Sequence, residues 1–371
     1  MGQGGCHGLR VEAAGARATI KGSFTFCSLS GLLFYTEKMK DVAMSIDAPA
    51  KAIPQPRKIT TKPRVSDQIF RAIVTAFSFS ALLILSLIAI FLLMKGFNTL
   101  KQQGIGFITN FEWSVVVDDG GVETAHFGLQ AMLIGTVVIS FIALFIAVPL
   151  SVLTALFLTF YAPERVKRIL VTVVDLMAAF PSILYGLWGF FVLMPMAEYW
   201  AKLIHKWLGW IYIFDLPDPI YTRSPFIAGI VLSVMIIPII TSVSREVFAQ
   251  TPLDRVQAAY ALGATKWGMI RAVVLPFGAG GVVGGSMLGL GRAFGETVAV
   301  FSVLNIVFRT NFQILFTQGG NVASMIIQKW GEAGPSEVSA LMAAGLVLFI
   351  LTLFVNFLAN SVVTRTVKSG R

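Results

Sequence analysis

The chain has 371 residues, of which 56% are hydrophobic and only 13% charged, and its mean hydropathy is +0.78. Soluble domains carry about 25% charged residues, so this composition excludes an ordinary soluble protein and points to a chain that crosses a bilayer several times. A formal net charge of +10 would suggest a nucleic-acid partner in a soluble chain, but among long apolar runs it is explained by basic cytoplasmic loops.

Residues 1–43 contain no run long enough to span. The apolar stretch Phe24 to Tyr35 is too short to cross, and no small-residue cleavage site follows it as a signal peptide would require. The expectation is that translation starts at Met39 or Met44, with a disordered tail as the alternative. Cys6 and Cys27 both lie in this region and form no metal or redox spacing. Residues 44–68 are polar and contain proline, which predicts a flexible cytoplasmic arm. The expected domain plan is therefore an arm over 1–68 and a transmembrane domain over 69–365.

Six spans follow, near 70–94, 129–161, 169–194, 225–244, 278–308 and 338–363, each with the roughly 20 mostly apolar residues that a crossing needs. Pro149, Pro181 and Pro238 fall inside spans two, three and four. Each reads as a packing kink, because neighbours in a bundle can satisfy the freed carbonyls. The architecture predicted is all-α and polytopic. Basic residues alternate between the connecting segments. One set holds Lys51, Arg57, Lys58, Lys62, Arg64, Arg71, Arg165, Lys167, Arg168, Arg245, Arg255, Lys266, Arg271, Arg365, Lys368 and Arg371. The other holds only Lys95, Lys101, Lys202, Lys206, Arg223, Arg309 and Lys329. The positive-inside rule then places both termini and the loop 245–276 in the cytoplasm. The loop from Lys95 to His126 carries Glu112, Asp118, Asp119 and Glu123 and falls outside. Trp200, Trp207, Trp210 and Tyr212 suit an outer interfacial belt.

The loop between spans four and five reads SREVFAQTPLDRVQAAYALGATKWGMIRAVVLPFGAGG. Pro252 and Asp254 can start a short helix and Gly263 can stop it. Val256, Ala259, Tyr260 and Leu262 give that helix an apolar face. A structured helix between two spans suggests a docking knob for a soluble partner; packing on its own bundle is the alternative.

Span five then carries Arg292 and Glu296, alone among Asp, Glu, Lys and Arg between Ala272 and Phe308. A charge at mid-membrane costs roughly 2.5–3.5 kcal/mol on insertion scales, and such groups usually face a bundle interior or a water-filled path. Four positions apart on a helix, the two share a face within pairing distance. The pair therefore points to a membrane protein that handles something polar. The alternative is a buried ion pair that holds spans together. Gly281, Gly285 and Gly289, with Gly291 and Gly295, let helices approach closely. Asp175 in span three would pair with a basic loop residue or line an inner exit. No Walker loop, HExxH, CxxC pair or nucleophile triad is present, so the chain is predicted not to be an enzyme and to need no metal or cofactor.

Gln257-Ala258-Ala259, Gly263 and Val273-Val274-Leu275-Pro276 resemble the EAA signature of binding-protein-dependent ABC importer permeases, with matching spacing. Gln257 stands where the family usually has Glu, and Val273 where it has Ile. Arg245-Glu246, the segment Ala178 to Gly189, and Gly289 to Thr297 resemble the phosphate-specific branch. The chain is most similar to PstC-type permeases over about residues 65 to 365, with the sister PstA type as the alternative. The resemblance implies a MetI-like permease fold and one half of a heterodimeric importer in a bacterial inner membrane. It also implies a second, PstA-like permease subunit, a PstB-like ATPase dimer in the cytosol and a PstS-like extracytoplasmic phosphate-binding protein. ATP hydrolysis by the partner would drive alternating access. On this basis Arg292, Glu296 and Thr297 belong to the substrate path, and Gln257, Ala258, Ala259, Gly263, Leu275 and Pro276 to ATPase coupling. Ala258, Ala259 and Gly263 would be small to let the partner approach, and Leu275-Pro276 would end the loop and set the angle of span five. Rival functions are a permease for molybdate or sulfate, and a stand-alone secondary transporter or channel.

Overall fold

The computed structural model describes residues 65–117, 123–215, 220–309, 312–316 and 319–369. The chain falls into two units, 1–74 and 75–371, and of the first only 65–74, the opening turns of a helix, are described. The predicted arm up to residue 64, both cysteines, Asp118 and Asp119 lie outside the described residues. Residues 65–68, expected in that arm, are already helical.

Helix α1 (Val65–Gln103) has Asp67 in its first turn and Lys101 in its last, each matched to the partial charge of its helix end. A short turn of helix, α2 (Gly106–Thr109), leads to an antiparallel hairpin of β1 (Trp113–Val117) and β2 (Glu123–Phe127), in which Trp113 pairs with Phe127. The expectation of a plain loop missed this hairpin. Its anchor is Trp113, whose ring lies 4.8 Å from Phe127 and 5.7 Å from Phe308, and whose Nε1 donates to Glu337 Oε1 at 2.7 Å.

The centre of the bundle is the pair α3 (Gln130–Leu156) and α7 (Pro225–Ala249). Ile139, Ala143 and Ala147 meet Ile227, Val231, Met235, Ile236 and Ile240 in the main core. Gly229 allows the approach, since a Cβ there would lie 2.4 Å from an Ile142 methyl. Pro149 and Pro238 sit inside unbroken helices, and the Ser151 hydroxyl ties the two helices by donating to Ile237 O at 3.1 Å. Helix α3 runs on through a wide π-helical turn, Phe157–Tyr161.

Span three departs from expectation. It is a bent pair, α4 (Glu164–Ala179) and a second limb built of α5 (Ser182–Trp188), a π-helical turn (Gly189–Leu193) and α6 (Met194–Leu208). The limbs meet at 96° around Phe180-Pro181. Phe180 is extended (ψ 139°), the conformation that a following proline imposes, so Pro181 ends one helix and starts the next rather than kinking it. Trp200, Trp207, Trp210 and Tyr212 are all exposed at the far end of this limb.

Helix α8 (Leu253–Ala261) occupies the loop after α7. Span five begins earlier and ends earlier than expected. It starts at α9 (Lys266–Met269), passes through a π-helical turn (Ile270–Val274), continues as α10 (Leu275–Phe294), and breaks at 295–297 before a short helix, α11 (Val298–Val303). Pro276 therefore lies inside a continuous helical path instead of ending the loop. The wide turn just before it is where a chain can absorb the missing N–H and the ring's clash with the preceding turn. Helices α12 (Val322–Trp330) and α13 (Pro335–Ser369) complete the described chain. By length and composition five described helices can each cross a bilayer, or six if the bent pair is taken as one broken span.

Candidate functional site

The break between α10 and α11 is where the two in-span charges lie. Arg292 is in the last turn of α10, and Glu296 is 6% exposed just before α11. The helix that would have set them four apart on one face stops at Phe294, and no ion pair joins them among the described residues. Their predicted pairing is therefore corrected. Each charge instead faces a helix end of opposite partial charge: a cation at the C-terminus of α10 and a carboxylate at the N-terminus of α11. Glu296 Oε1 accepts from the Ala299 N–H at 3.2 Å. Arg292, half-buried, has its Nε fully buried with no hydrogen-bond partner. Thr297, the N-cap of α11, makes no side-chain capping bond.

Asn321 clamps this break. Its Nδ2 donates to Glu296 O at 2.6 Å, while its Oδ1 accepts from the Ser324 N–H at 2.8 Å to cap α12. The neighbouring Val322 N–H donates to Thr136 Oγ1 at 3.0 Å on α3. Buried polar groups of this kind hold a structure firmly only when mutually satisfied, as these are. Sequence reading passed over Asn321, although Asn-Val-Ala-Ser is a capping-box spacing. Gly135 of α3 lets this segment in: a Cβ there would lie 2.0 Å from Gly320 O.

Tyr185 of α5 is buried at the bend of span three. Its hydroxyl donates to Met177 O at 2.7 Å across the 96° bend. A cavity of 320 Å³ opens beside it, lined by Met177, Phe180, Leu184, Tyr185, Trp188 and Val234. Asp175, on α4, is exposed and pairs with no described residue. The glycines of α10 divide by role. Gly278, Gly281, Gly285 and Gly289 meet Phe248, Val247, Val243 and Ile240 of α7 so closely that a Cβ would lie 2.4 to 3.2 Å from them. Gly291 has open space, and Gly295 comes near only the Gly291 carbonyl, so this second predicted pair packs against no other helix among the described residues.

At the other end of α7, α8 starts after Pro252 and is closed by Gly263, whose φ of +82° only glycine adopts without strain. The Ala264 N–H donates to Ala259 O at 3.0 Å and the Gly263 N–H to Tyr260 O at 2.9 Å, the paired bonds of a Schellman termination. No atom of the chain lies within 4 Å of a Cβ at Gly263, so within this chain the need for glycine is one of backbone conformation. Val256 and Ala259 pack on a buried cluster of Leu156, Phe248, Met269 and Val274. Ala259 thus packs toward the bundle. Gln257, Ala258, Tyr260 and Leu262 are exposed, Leu262 at 89%, so the predicted apolar face is split between two sides. Lys266 Nζ sits 4.5 Å from the Tyr161 ring, linking the end of this loop to the last turn of the α3 span.

The family model described as binding-protein-dependent transport system inner membrane component matches residues 147–368. The phosphate transport system permease protein PstC 2 of Mycobacterium bovis is 43% identical over 302 residues, covering 81% of this chain and 92% of that one. The phosphate transport system permease protein PstC of Pasteurella multocida is 36% identical over 310 residues, covering 82% and 93%. Among solved structures, a chain of the bacterial alginate ABC transporter in complex with alginate pentasaccharide-bound periplasmic protein superposes with a TM-score of 0.54 at 16% identity, covering 82% of this chain and 96% of that one. At that identity the likeness concerns the fold alone.

Proposed function

We propose that this chain, which belongs to the binding-protein-dependent transport system inner membrane component family, is a permease subunit of an ATP-driven importer of inorganic phosphate. It is a transport subunit, not an enzyme, and the family it belongs to works with an ATPase and a substrate-binding protein. Its finer partners are a PstA-like second permease, a PstB-like ATPase dimer and a PstS-like phosphate-binding protein. Both termini and the α8 loop face the cytoplasm, on the strength of the basic residues in the segments that flank them.

The observation that carries the cargo reading is Arg292: a buried guanidinium nitrogen without a partner, at the end of a helix that breaks inside an apolar bundle. A buried donor left unpaired is costly unless something polar visits it, and a planar fork suits a tetrahedral oxyanion. Glu296 sets the geometry of the break by capping α11, and Thr297 lies between the two. The exposed side of α8, with Gln257, Ala258, Tyr260 and Leu262, meets the ATPase. Gly263 fixes the end of that helix, and Ala259, Leu275 and Pro276 hold its mounting. Closure of the ATPases biases the bundle between two states, which any ligand-driven change requires.

Labelled phosphate uptake in a strain lacking its own permease, with molybdate and sulfate as competitors, tests this. Phosphate uptake that neither competitor suppresses is expected. Stronger suppression by molybdate or sulfate than by unlabelled phosphate would reassign the cargo to that anion.

A further inference from the structure

Among the described residues Arg223 is the one non-glycine with a left-handed backbone, at φ 53°. An arginine rarely adopts that region, because its Cβ crowds the next carbonyl. It stands two positions before α7, whereas α8 follows the other end of that 25-residue helix. Arg223 and the coupling loop are thus separated by a helix about 37 Å long.

The strained backbone presents a cation that, among the described residues, neutral groups hold. The guanidinium carbon lies 5.2 Å from the centre of the Phe190 ring, and Nη1 donates to Asn305 Oδ1. No carboxylate pairs with it among the described residues, and the side chain is only half-buried. An acid in place of Asn305 would cancel the charge. An amide and an aromatic face orient it and leave the rest of the fork's donors open.

Its two anchors belong to the same wall as Arg292. Helices α5 and α11 run side by side through Gly186, where a Cβ would lie 2.8 Å from Ala299 Cα, and through Gly189, which nears Val303. At the lower end of this contact, α11 starts at Val298, just past the break that follows Arg292. Above it, Arg223 bridges Phe190 and Asn305. We propose that Arg223 is a second oxyanion station, which receives the anion at the end of the bundle remote from α8 and passes it along the α5–α11 wall to Arg292. This rests on the reading of Arg292 as a path residue.

The test uses the complete importer in proteoliposomes, with saturating phosphate-loaded binding protein outside, and measures phosphate uptake and ATP hydrolysis together. Arg223→Asn removes the cation while keeping a residue that tolerates positive φ, so it separates charge from strain. Losing a charge-assisted contact predicts uptake lowered roughly tenfold or more, with binding-protein-stimulated ATP hydrolysis within about twofold of wild type. Arg223→Lys keeps the charge and is expected to restore much of the uptake. Wild-type uptake in Arg223→Asn would overturn the proposal. So would an equal fall of uptake and hydrolysis in both variants, which marks a purely structural anchor. Absence of phosphate uptake by the wild-type importer would instead sink the cargo reading on which the station rests.

Discussion

Arg292 owes its position to a helix end rather than to an acid. The C-terminal carbonyls of α10 favour a cation there, and Glu296, which would otherwise have neutralised it, is engaged with the Ala299 N–H. An oxyanion site built on this residue is expected to distinguish arginine from lysine at position 292. Arg292→Lys should insert normally yet lose roughly tenfold or more of its phosphate uptake, because an ammonium cannot offer two parallel donors. Full activity with lysine would remove the bidentate role. Gly263 makes a second argument at this scale. With open space around it and a φ of +82°, Gly263→Val should cost about 1–2 kcal/mol at the end of α8 and abolish transport while membrane insertion persists. Gly263→Asn should keep much of the uptake, since Asn tolerates that backbone. Equal loss in both variants would point to contact rather than conformation.

At the scale of elements, the α7–α10 contact and the break after α10 are the decisive pieces. The glycine stripe of α10 faces Phe248, Val247, Val243 and Ile240, and in lipid such close backbone approach drives association. Gly281→Leu should lower the amount of assembled complex recovered after mild detergent extraction, while Gly291→Ala, directed into open space, should not. Loss with both would mean that the stripe is not what holds the helices. The clamp at Asn321 joins the break to α12 through bonds to Glu296 O and the Ser324 N–H. Asn321→Ala should destabilise it by about 1–2 kcal/mol, read as a lower midpoint in thermal denaturation of the purified complex. An unchanged midpoint would show that the break stands without the clamp.

At the scale of the whole molecule, much of the apolar surface has no cover among the described residues. None of the most apolar window of α1 is buried, and only 28% of that of α13 is. A bilayer and other subunits are the surroundings such faces require, as expected of one subunit in a family of multi-component transporters. If the energy comes from a partner, deleting the ATPase should abolish uptake as completely as deleting this chain. Residual uptake without it would favour a channel or secondary transporter.

The sequence by itself determined the class. Runs of about 20 apolar residues suit bilayer-spanning helices, and Gln257, Gly263 and Pro276 carried a resemblance to the family's EAA signature without any coordinates. It also showed Arg292 and Glu296 as costly and therefore meaningful. What it could not decide was whether they touch. That depends on a break at 295–297, which a local pattern of apolar residues and glycines does not distinguish from a continuing helix. The same limit hid the 96° bend at Pro181, the hairpin held by Trp113, the clamp at Asn321 and the strained Arg223. Each is settled by contacts between residues far apart in the chain, such as Asn321 with Glu296 and Arg223 with Asn305. Only the folded chain brings those partners together, so only the tertiary structure left Arg292 without its acid.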